Sequence, residues 1–310
     1  MAEITVVITA YNRERFIAEA LESVLAQTVR DIAVLVVDDH SQDATAAVAD
    51  AIAARDGRVR VVRNAHNRGD YPNRNYAASL VQTPYFKFHD SDDVMYPHCV
   101  EVMWGMLREA TEAGFALSAS VAWPGAPCPM LLTPRQSFQR EFLGAGLFHL
   151  GPACALFRTD VFRRLGGLPE QGHGSDFLFW LAACREVPVV LVPGDLFFWR
   201  EHETQESRKA TDPPDQARAK GFAWRALADE RCPLSAEERE IARRNYAYIV
   251  AREIYRRVRA GKPDTALLYW RHSGLTATDW LRYLRRPQRS KFAGTPVAAP
   301  RSVLLNQASR

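Results

Sequence analysis

The first part of the chain alternates between apolar runs of strand length and segments with helical periodicity. Residues 4–9 and 32–37 are nearly continuous runs of β-branched and aliphatic side chains, which is typical of strands buried on both faces of a parallel sheet. Helical spacing of apolar residues follows over 13–27 and 44–55, and a further strand is predicted at 59–62. This alternation predicts an α/β fold with a doubly wound, mostly parallel sheet and helices on both faces.

An acidic cluster follows the next predicted strand. A predicted strand that includes Phe86 and Phe88 leads into Asp90, Ser91, Asp92 and Asp93, and strand alternation turns Asp90 and Asp92 to the same side. Open α/β sheets bind ligands at the carboxyl ends of their strands. Clustered carboxylates repel one another unless a cation or hydrogen-bond donors compensate their charge, and Mg²⁺ or Mn²⁺ would also hold phosphate oxygens. The alternative is a solvated acidic turn that caps the following helix, a role that fits Asp93 in particular.

Other polar positions stand out further along the chain. Residues 123–140 are rich in proline and polar groups without periodicity, which predicts a loop over a binding site. A single acid, Asp176, stands at the start of an apolar helix, where an N-cap aspartate is the structural explanation and a catalytic carboxylate the functional one. His202 follows two short predicted strands, whereas His89 and His173 are interpreted as local packing or loop residues.

Composition excludes several classes of protein. With 310 residues and 47% hydrophobic content, the chain is long enough for one large α/β domain and an appendage. Its N-terminus reads as a first strand and not as a signal peptide, and no apolar stretch is long enough to span a bilayer. Five scattered cysteines without C-x-x-C spacing argue against a disulfide framework and a zinc site, and a reducing cytosol fits best. The first strand is not followed by the glycine-rich phosphate loop of a dinucleotide oxidoreductase or nucleotidyltransferase.

Charge divides the chain into two parts. Residues 1–199 carry 17 Lys and Arg against 23 Asp and Glu, whereas residues 200–310 carry 23 against 13. The acidic front part is not expected to bind nucleic acid. In the basic part, Trp280 and Tyr283 lie among arginines, and no acid occurs from Leu281 to the end of the chain. The segment from Trp280 to Lys291 is therefore a candidate for contact with an anionic membrane, with a solvated arginine-rich helix and a dimer contact as alternatives.

Five motifs occur in an order that resembles glycosyltransferase family 2, the inverting enzymes with a GT-A fold. The motifs are Thr9-Ala10-Tyr11-Asn12, Val36-Val37-Asp38-Asp39-His40-Ser41, Asn67-Arg68-Gly69 with Arg74-Asn75, Asp90-Ser91-Asp92-Asp93 and Ser175-Asp176. The resemblance covers residues 4–207. Two departures are that Ala10 stands where the family often has proline, and that Ser175-Asp176 carries one carboxylate in place of an acidic pair.

This resemblance implies a GT-A-like nucleotide-sugar-binding and catalytic domain over residues 1–211. Helical periodicity and aromatic content predict a C-terminal helical region over 212–292, and the prolines beyond it predict a disordered tail over 293–310.

The resemblance also implies metal-dependent, inverting transfer of a sugar from a nucleoside diphosphate, with UDP as the first choice, to a saccharide or lipid-linked hydroxyl acceptor. Asp176 would be the general base, Asp92 and His202 would hold Mn²⁺ or Mg²⁺, and Asp38 would accept hydrogen bonds from a uracil-like ring. The residues implied to bind the nucleotide are Thr9, Tyr11, Asn12, Arg13, Asp38, Asn67, Gly69, Arg74, Asp90 and Ser91.

Structural explanations compete with these roles. Arg74 could be a surface arginine, His202 an exposed loop histidine, and Asp39 the cap of the helix that begins near Ala44. The whole chain could also be a non-catalytic nucleotide-sugar-binding or scaffold protein with a degenerate domain. The expected location is the cytoplasm, with peripheral contact at the inner face of the membrane if the basic segment binds lipid.

Overall fold

The computed structural model describes residues 2–119, 128–172, 174–203, 205, 213–276, 278–279, 282 and 301–302. The strands are β1 (Ile4–Ala10), β2 (Ile32–Asp38), β3 (Val59–Arg63), β4 (Tyr85–Asp90), β5 (Val94–Met95), β6 (Phe115–Ser118), β7 (Met130–Leu132), β8 (Ala155–Arg158), β9 (Val189–Val192), β10 (Phe197–Phe198) and β11 (Arg301–Ser302). The helices are α1 (Ile17–Leu25), α2 (Thr45–Ala53), α3 (Asp70–Ser79), α4 (Cys99–Glu109), α5 (Pro134–Leu143), α6 (Thr159–Arg164), α7 (Ser175–Glu186), α8 (Pro213–Ala228), α9 (Ala236–Arg259) and α10 (Pro263–His272).

One mixed sheet organises these elements, with strand order β11-β7-β9-β6-β8-β4-β1-β2-β3. The strands β4, β1, β2 and β3 are parallel, and in the described sheet only β7 and β8 run against the others. A separate antiparallel pair is formed by β5 and β10. The predicted α/β fold with a doubly wound, mostly parallel sheet is confirmed.

Both faces of the sheet are buried. Alternation along β1 sends Val6 and Ile8 to the face covered by α1, α2 and α4, and sends Val7 to the face covered by α3, α6 and α7. The second face is aromatic: the ring of Phe157 stacks on Phe86 at 5.3 Å and on Trp180 at 6.1 Å between centroids. Burial on two faces explains why the strands read as continuous apolar runs in the sequence.

The structure overturns the loop predicted for residues 123–140. Within this range β7 pairs with β9, and α5 begins at a capping box in which Thr133 and Gln136 satisfy each other's backbone amides. Pro134 occupies the first helical position, where its missing N–H costs nothing. The helix is polar except for side chains such as Phe138, so hydrophobic periodicity did not reveal it. Residues 120–127 lie outside the described residues.

The C-terminal helices α8, α9 and α10 pack on one another and on α5 and α7. Trp224 of α8 stacks on Tyr246 of α9 at 5.7 Å. Glu238, buried in the first turn of α9, accepts hydrogen bonds from Arg135 at 2.9 and 3.0 Å and from Gln139 at 2.5 Å. The helical region thus shares its apolar core with the sheet, and the boundary near residue 211 stays a prediction.

Two further predictions concern the termini and the membrane. Arg301 and Ser302, which fall in the predicted disordered tail, instead form β11 and pair with β7, because an edge strand offers unpaired backbone groups. Most of the segment from Trp280 to Lys291 lies outside the described residues.

No described helix combines the length and apolarity needed to cross a bilayer. The five cysteines, all described, form no disulfide.

Candidate functional site

The motif residues converge at the carboxyl ends of β1, β2 and β4. Register pairs Ala10 with Asp38 and Thr9 with Asp90, so three strand ends are level with one another. A cleft of about 510 Å³, here called the edge cleft, opens above them. Its lining includes ten predicted site residues, namely Thr9, Tyr11, Asn12, Arg13, Asn67, Gly69, Arg74, Asp90, Ser91 and Asp92.

The turn after β1 is fixed by the turn after β2. Asn12 has a positive φ of 53°, donates its backbone N–H to Ser41 Oγ at 2.9 Å, and accepts the Gln42 backbone N–H at 2.8 Å through its side-chain oxygen. Asparagine tolerates this left-handed conformation better than most residues. Tyr11 is 44% exposed at this turn and presents its ring to the cleft. Tyr11, Asn12 and Arg13 of this turn form part of the wall of the edge cleft.

Asp38 and Asp39 have different environments. Asp38 is buried, its Oδ2 accepts the Ser41 N–H at 3.1 Å, and its Oδ1 is buried without a hydrogen-bond partner. A buried oxygen without a partner is costly unless a ligand supplies a donor. Asp38 does not line the edge cleft, whereas Asp39 does.

The alternative that Asp39 caps the helix near Ala44 is wrong, because no side chain caps α2. Its carboxylate instead accepts the backbone N–H groups of Arg68 and Gly69, each at 2.9 Å, and the side-chain amide of Asn64 at 2.7 Å. These bonds tie the polar loop after β3 to the end of β2. The sequence did indicate that the polar loop after β3 needs hydrogen-bond acceptors for its backbone N–H groups, and a nearby carboxylate can supply them.

Arg74 neutralises one acid of the cluster. Its guanidinium lies 2.8 Å from Asp90 and 2.7 Å from Asp70, and the residue is only 9% exposed, so the surface-arginine alternative is wrong. Burial by itself raises the pKa of Asp90, but the Arg74 charge and hydrogen bond outweigh it and hold that pKa below its ordinary value. Asp90 is therefore ionised and paired.

Asp92 is shared by two side chains from distant parts of the chain. Its Oδ2 lies 3.0 Å from Arg13 Nε and 2.9 Å from His202 Nε2. The imidazole is largely buried and packs on the ring of Phe16 at 4.7 Å, so the alternative of an exposed loop histidine is wrong. The resemblance implied that these two residues share a metal ion, and the structure brings their side chains together although they are 110 residues apart in the sequence.

Asp93 is not a solvated cap. It is 2% exposed, and its Oδ1 accepts the Arg200 backbone N–H at 3.0 Å, which holds the segment after β10 against the acidic turn. Burial and the neighbouring charge of Asp90 raise the pKa of Asp93 to about 7. The reading of this cluster as a simple surface turn is therefore overturned.

Asp92 and His202 suit a divalent ion as two ligands of a larger set. In the described part of the chain, no group of three or more His, Cys, Asp and Glu side chains is arranged as a metal site. Neighbouring ligands of an octahedral Mg²⁺ or Mn²⁺ lie about 3 Å apart, which matches the separation of the Asp92 oxygen and the His202 nitrogen. The residues thus fit an ion that takes its other ligands from phosphate and water.

Asp176 is the second residue of α7, and the N-cap position belongs to Gly174, so the alternative structural explanation of Asp176 as an N-cap is wrong. One carboxylate oxygen accepts the Phe177 N–H at 2.7 Å. Burial raises the pKa of Asp176, and the charge of Asp70 raises it further. Asp176 does not line the edge cleft; it lines a second cleft of about 450 Å³.

Two histidines were interpreted as packing or loop residues. His89 is fully buried in β4, and burial together with the charge of Lys87 lowers its pKa to about 3, so the ring is neutral. His173 lies outside the described residues.

The structure adds five residues to the edge cleft that the sequence analysis did not assign to ligand binding. They are Asp39, Asp70, Asn73, Trp199 and Gln205.

Comparison with known proteins identifies a matching family profile and several relatives that are named as glycosyltransferases. The sequence profile of Glycosyl transferase family 2 matches residues 5–166. An uncharacterized glycosyltransferase of Haemophilus influenzae is 30% identical over 219 residues, which span 66% of this chain and 67% of the relative. The uncharacterized glycosyltransferase EpsJ of Bacillus subtilis is 36% identical over 211 residues, spanning 64% and 61%. The match to glycosyltransferase GlyG of Streptococcus pneumoniae is shorter, 31% identical over 34% of this chain and 35% of GlyG.

Solved structures share the fold at low sequence identity. S. aureus TarS 1-349 in complex with UDP-GlcNAc superposes with a TM-score of 0.61 at 19% identity, covering 86% of this chain and 89% of TarS 1-349. The mannosyltransferase PcManGT from Pyrobaculum calidifontis, in complex with GDP-Man and Mn²⁺, gives a TM-score of 0.58 at 14% identity, covering 87% and 86%. The expected GT-A-like fold is confirmed. Since the family profile spans more than half of the sequence, the chain belongs to glycosyl transferase family 2.

Proposed function

We propose that this protein is a metal-dependent, inverting glycosyltransferase that moves a sugar from a nucleoside diphosphate, UDP foremost, to a hydroxyl of a saccharide or lipid-linked acceptor. The observation that carries the proposal is the edge cleft, where two partly buried arginine–aspartate pairs and a histidine lie at the ends of parallel strands. Relatives of the same fold have been solved with UDP-GlcNAc and with GDP-Man and Mn²⁺.

The nucleotide would bind across the strand ends. Tyr11 and Asn12 would cover the base, and the partnerless Oδ1 of Asp38 would accept a base N–H once the neighbouring turn adjusts. Arg13 and Arg74 would contact the diphosphate, since one guanidinium group can donate two parallel hydrogen bonds to phosphate oxygens. The remaining contacts would come from Thr9, Asn67, Gly69, Asp90 and Ser91, all of which line the same cleft.

Asp92 and His202 would hold Mn²⁺ or Mg²⁺ beside that diphosphate. When bound, the ion supplies positive charge that compensates the charge developing on the departing nucleotide. The Arg13 side chain, 3.0 Å from Asp92, orients this carboxylate.

The reaction needs a base on the acceptor side. Asp176 would take the proton of the acceptor hydroxyl while its oxygen forms a bond to the anomeric carbon. The bond from that carbon to the diphosphate oxygen breaks on the opposite face, its electron pair leaves with the nucleotide, and the configuration inverts. The raised pKa of Asp176 favours this role, because a carboxylate with a higher pKa is a stronger base.

The decisive experiment measures nucleotide binding and turnover on the same preparation. We expect UDP to raise the melting temperature, and Mn²⁺ to increase that shift, because a ligand selective for the native state stabilises it by mass action. UDP-sugar should then be consumed with transfer to an acceptor or to water. Binding of UDP with Mn²⁺ but no consumption of any donor would favour the alternative of a non-catalytic nucleotide-sugar-binding or scaffold protein.

We also propose a cytoplasmic location with peripheral membrane contact through the basic segment from Trp280 to Lys291. The support is compositional, namely aromatic residues among arginines without acids. Such a location would bring the enzyme to lipid-linked acceptors.

A further inference from the structure

An exposed tryptophan lines the edge cleft and has no place among the proposed nucleotide contacts. Trp199 is 52% exposed, and Tyr11 is the other aromatic residue among the described residues of the cleft wall. A single exposed apolar side chain is ordinary on an open surface. Inside a cleft it is a typical ligand contact, because pockets are lined mainly by apolar and aromatic groups. Trp199 is therefore a candidate for contact with a part of the ligand that Tyr11 does not cover.

The strand that leads to Trp199 runs beside the acidic turn. β10 pairs with β5 so that Phe198 lies opposite Val94, and the residue before Val94 is Asp93. Antiparallel pairing therefore brings the residue after Phe198, which is Trp199, next to this turn. The next residue agrees with that position, because the backbone N–H of Arg200 donates to Asp93 Oδ1 at 3.0 Å.

The side chain of Arg200 anchors this backbone from two further directions. Its Nε donates to the backbone oxygen of Asp92 at 2.9 Å, and a terminal nitrogen lies 2.5 Å from the carboxylate of Glu19 in α1. The guanidinium also lies over the ring of Phe16, 5.4 Å from the ring centroid. These contacts join the end of β10 to the acidic turn and to α1. The position from which the Trp199 side chain enters the cleft is therefore fixed.

The order of the strands gives the edge cleft a direction. The ends of β2, β1 and β4 lie side by side and level, about 4.8 Å apart from one strand to the next. Asp38 is at the β2 end, whereas Asp90, the acidic turn and Trp199 are at the β4 end. In the proposed function the base lies by Asp38 and the diphosphate by the acidic turn. The sugar is attached beyond the diphosphate, so it is the part of the donor that the Trp199 end of the cleft would receive.

We infer that Trp199 recognises the donor sugar by stacking its indole on the face of the hexose ring that carries C–H groups. Covering that face removes apolar surface from water, and indole offers a large flat area for it. The contact also discriminates between sugars, because an axial hydroxyl changes which C–H groups share a face. This inference rests on the proposed function for the nature of the donor.

The test compares a nucleotide with and without its sugar. Titration calorimetry on the full chain measures the affinity for UDP and for UDP-glucose, UDP-galactose and UDP-N-acetylglucosamine, and the donor that the wild type binds most tightly is the probe. Trp199→Ala should weaken the probe about tenfold, through the apolar contact that is lost, and should leave UDP affinity unchanged. Trp199→Phe should recover part of the loss, since a phenyl ring covers less of a hexose face than an indole.

Two further variants are compared with Trp199→Ala. Trp270→Ala is the matched control, because Trp270 is 39% exposed in α10 and does not line the edge cleft, and it should change neither affinity. Tyr11→Ala should weaken UDP and the probe by the same factor, because the base is common to both ligands.

The outcomes separate the sugar contact from the proposed function. An equal loss of UDP and probe affinity in Trp199→Ala would show that the indole contacts the nucleotide part, and unchanged probe affinity would show that it contacts no part of the donor. Either result would overturn the inference while UDP binding by the wild type still supported the proposed function. A wild type that binds no UDP would contradict the proposed function itself.

Discussion

At the scale of single residues, the acidic cluster is organised by charge pairing. Arg13 pairs with Asp92 and Arg74 pairs with Asp90, which compensates charge where three neighbouring acids would otherwise repel one another. Asp93, which has no arginine partner of this kind, carries the cost of burial and has its pKa raised to about 7. The acids of one short turn therefore have different environments.

The first prediction concerns Asp176. Asp176→Asn should keep UDP affinity and the melting temperature, because Gly174 and not Asp176 is the N-cap of α7. Transfer should fall by about 10²–10⁴-fold, the usual contribution of a general base. In the wild type, transfer should decline as the pH falls through the raised pKa of Asp176, because only the ionised carboxylate accepts a proton. Product formation at several pH values checks this, and near-wild-type turnover would mean that the base lies elsewhere.

The second prediction concerns Asp92. Asp92→Asn should abolish the tightening of UDP binding by Mn²⁺, because a neutral amide is a weaker ligand for a hard cation than a carboxylate. Affinity without metal should be retained, since Arg13 is released to the diphosphate. Calorimetric titration with and without Mn²⁺ measures both. Asp160→Asn, at a side chain 77% exposed, is the control, and an unchanged metal dependence would refute the assignment.

The third prediction concerns Asp39, whose carboxylate holds the loop after β3. Asp39→Asn replaces an acceptor oxygen by an NH₂ group facing an N–H donor, at a cost of about 1–3 kcal/mol in the free energy of unfolding. UDP affinity should fall about tenfold as Asn67 and Gly69 lose their position. Denaturant unfolding and UDP titration test this against Asp31→Asn at an exposed position. Normal affinity would show that the loop does not contact the nucleotide.

At the scale of elements, the family domain and the C-terminal helices are joined through α5 and α9. Glu238 is the centre of this contact, because it completes the capping box of α9 with Ser235 and also accepts hydrogen bonds from Arg135 and Gln139 of α5. Burial raises the pKa of Glu238, but these bonds outweigh it and lower the value to about 2. A single carboxylate thus links the start of one helix to the side of another.

The fourth prediction follows from that link. Glu238→Gln should lower the free energy of unfolding by about 2 kcal/mol at pH 7, because charge-assisted hydrogen bonds are lost. The contribution of Glu238 is present above its ordinary pKa of 4.5 and is lost as the pH falls towards 2, so wild type and variant should converge there. Denaturant unfolding between pH 2 and 7 measures this. Glu237→Gln, exposed in the same turn, controls for the helix dipole, and equal losses in both variants would exclude a special role for Glu238.

At the scale of the whole molecule, charge is distributed unevenly along the chain, with an excess of acids in residues 1–199 and an excess of bases in residues 200–310. A nucleotide bound at the strand ends would lie in the acidic part, where Arg13 and Arg74 supply positive charge. A basic segment that contacts an anionic bilayer would bring the protein to lipid-linked acceptors.

The fifth prediction tests the basic segment. Replacing Arg285, Arg286 and Arg289 together by Gln should strongly reduce co-flotation with phosphatidylserine vesicles, since each basic residue near such a surface contributes about 1 kcal/mol. The control replaces three exposed arginines elsewhere, Arg55, Arg164 and Arg231, and should float normally. Equal flotation of the two triple variants would mean that the segment from Trp280 to Lys291 does not contact the membrane.

Sequence pattern is enough to predict the alternation of strands and helices and the edge of the sheet at which the motifs meet. Apolar runs and turn residues are local signals, and parallel strands of one sheet place their carboxyl ends at the same edge whatever segment connects them. Ten predicted site residues line the edge cleft for this reason. The resemblance also paired His202 with Asp92, 110 residues away. Three contacts are visible only in three dimensions: Arg13 pairs with Asp92, Asp39 holds the loop after β3, and Asp176 lines a second cleft. They depend on packing between elements that lie far apart in the sequence, which no local pattern encodes.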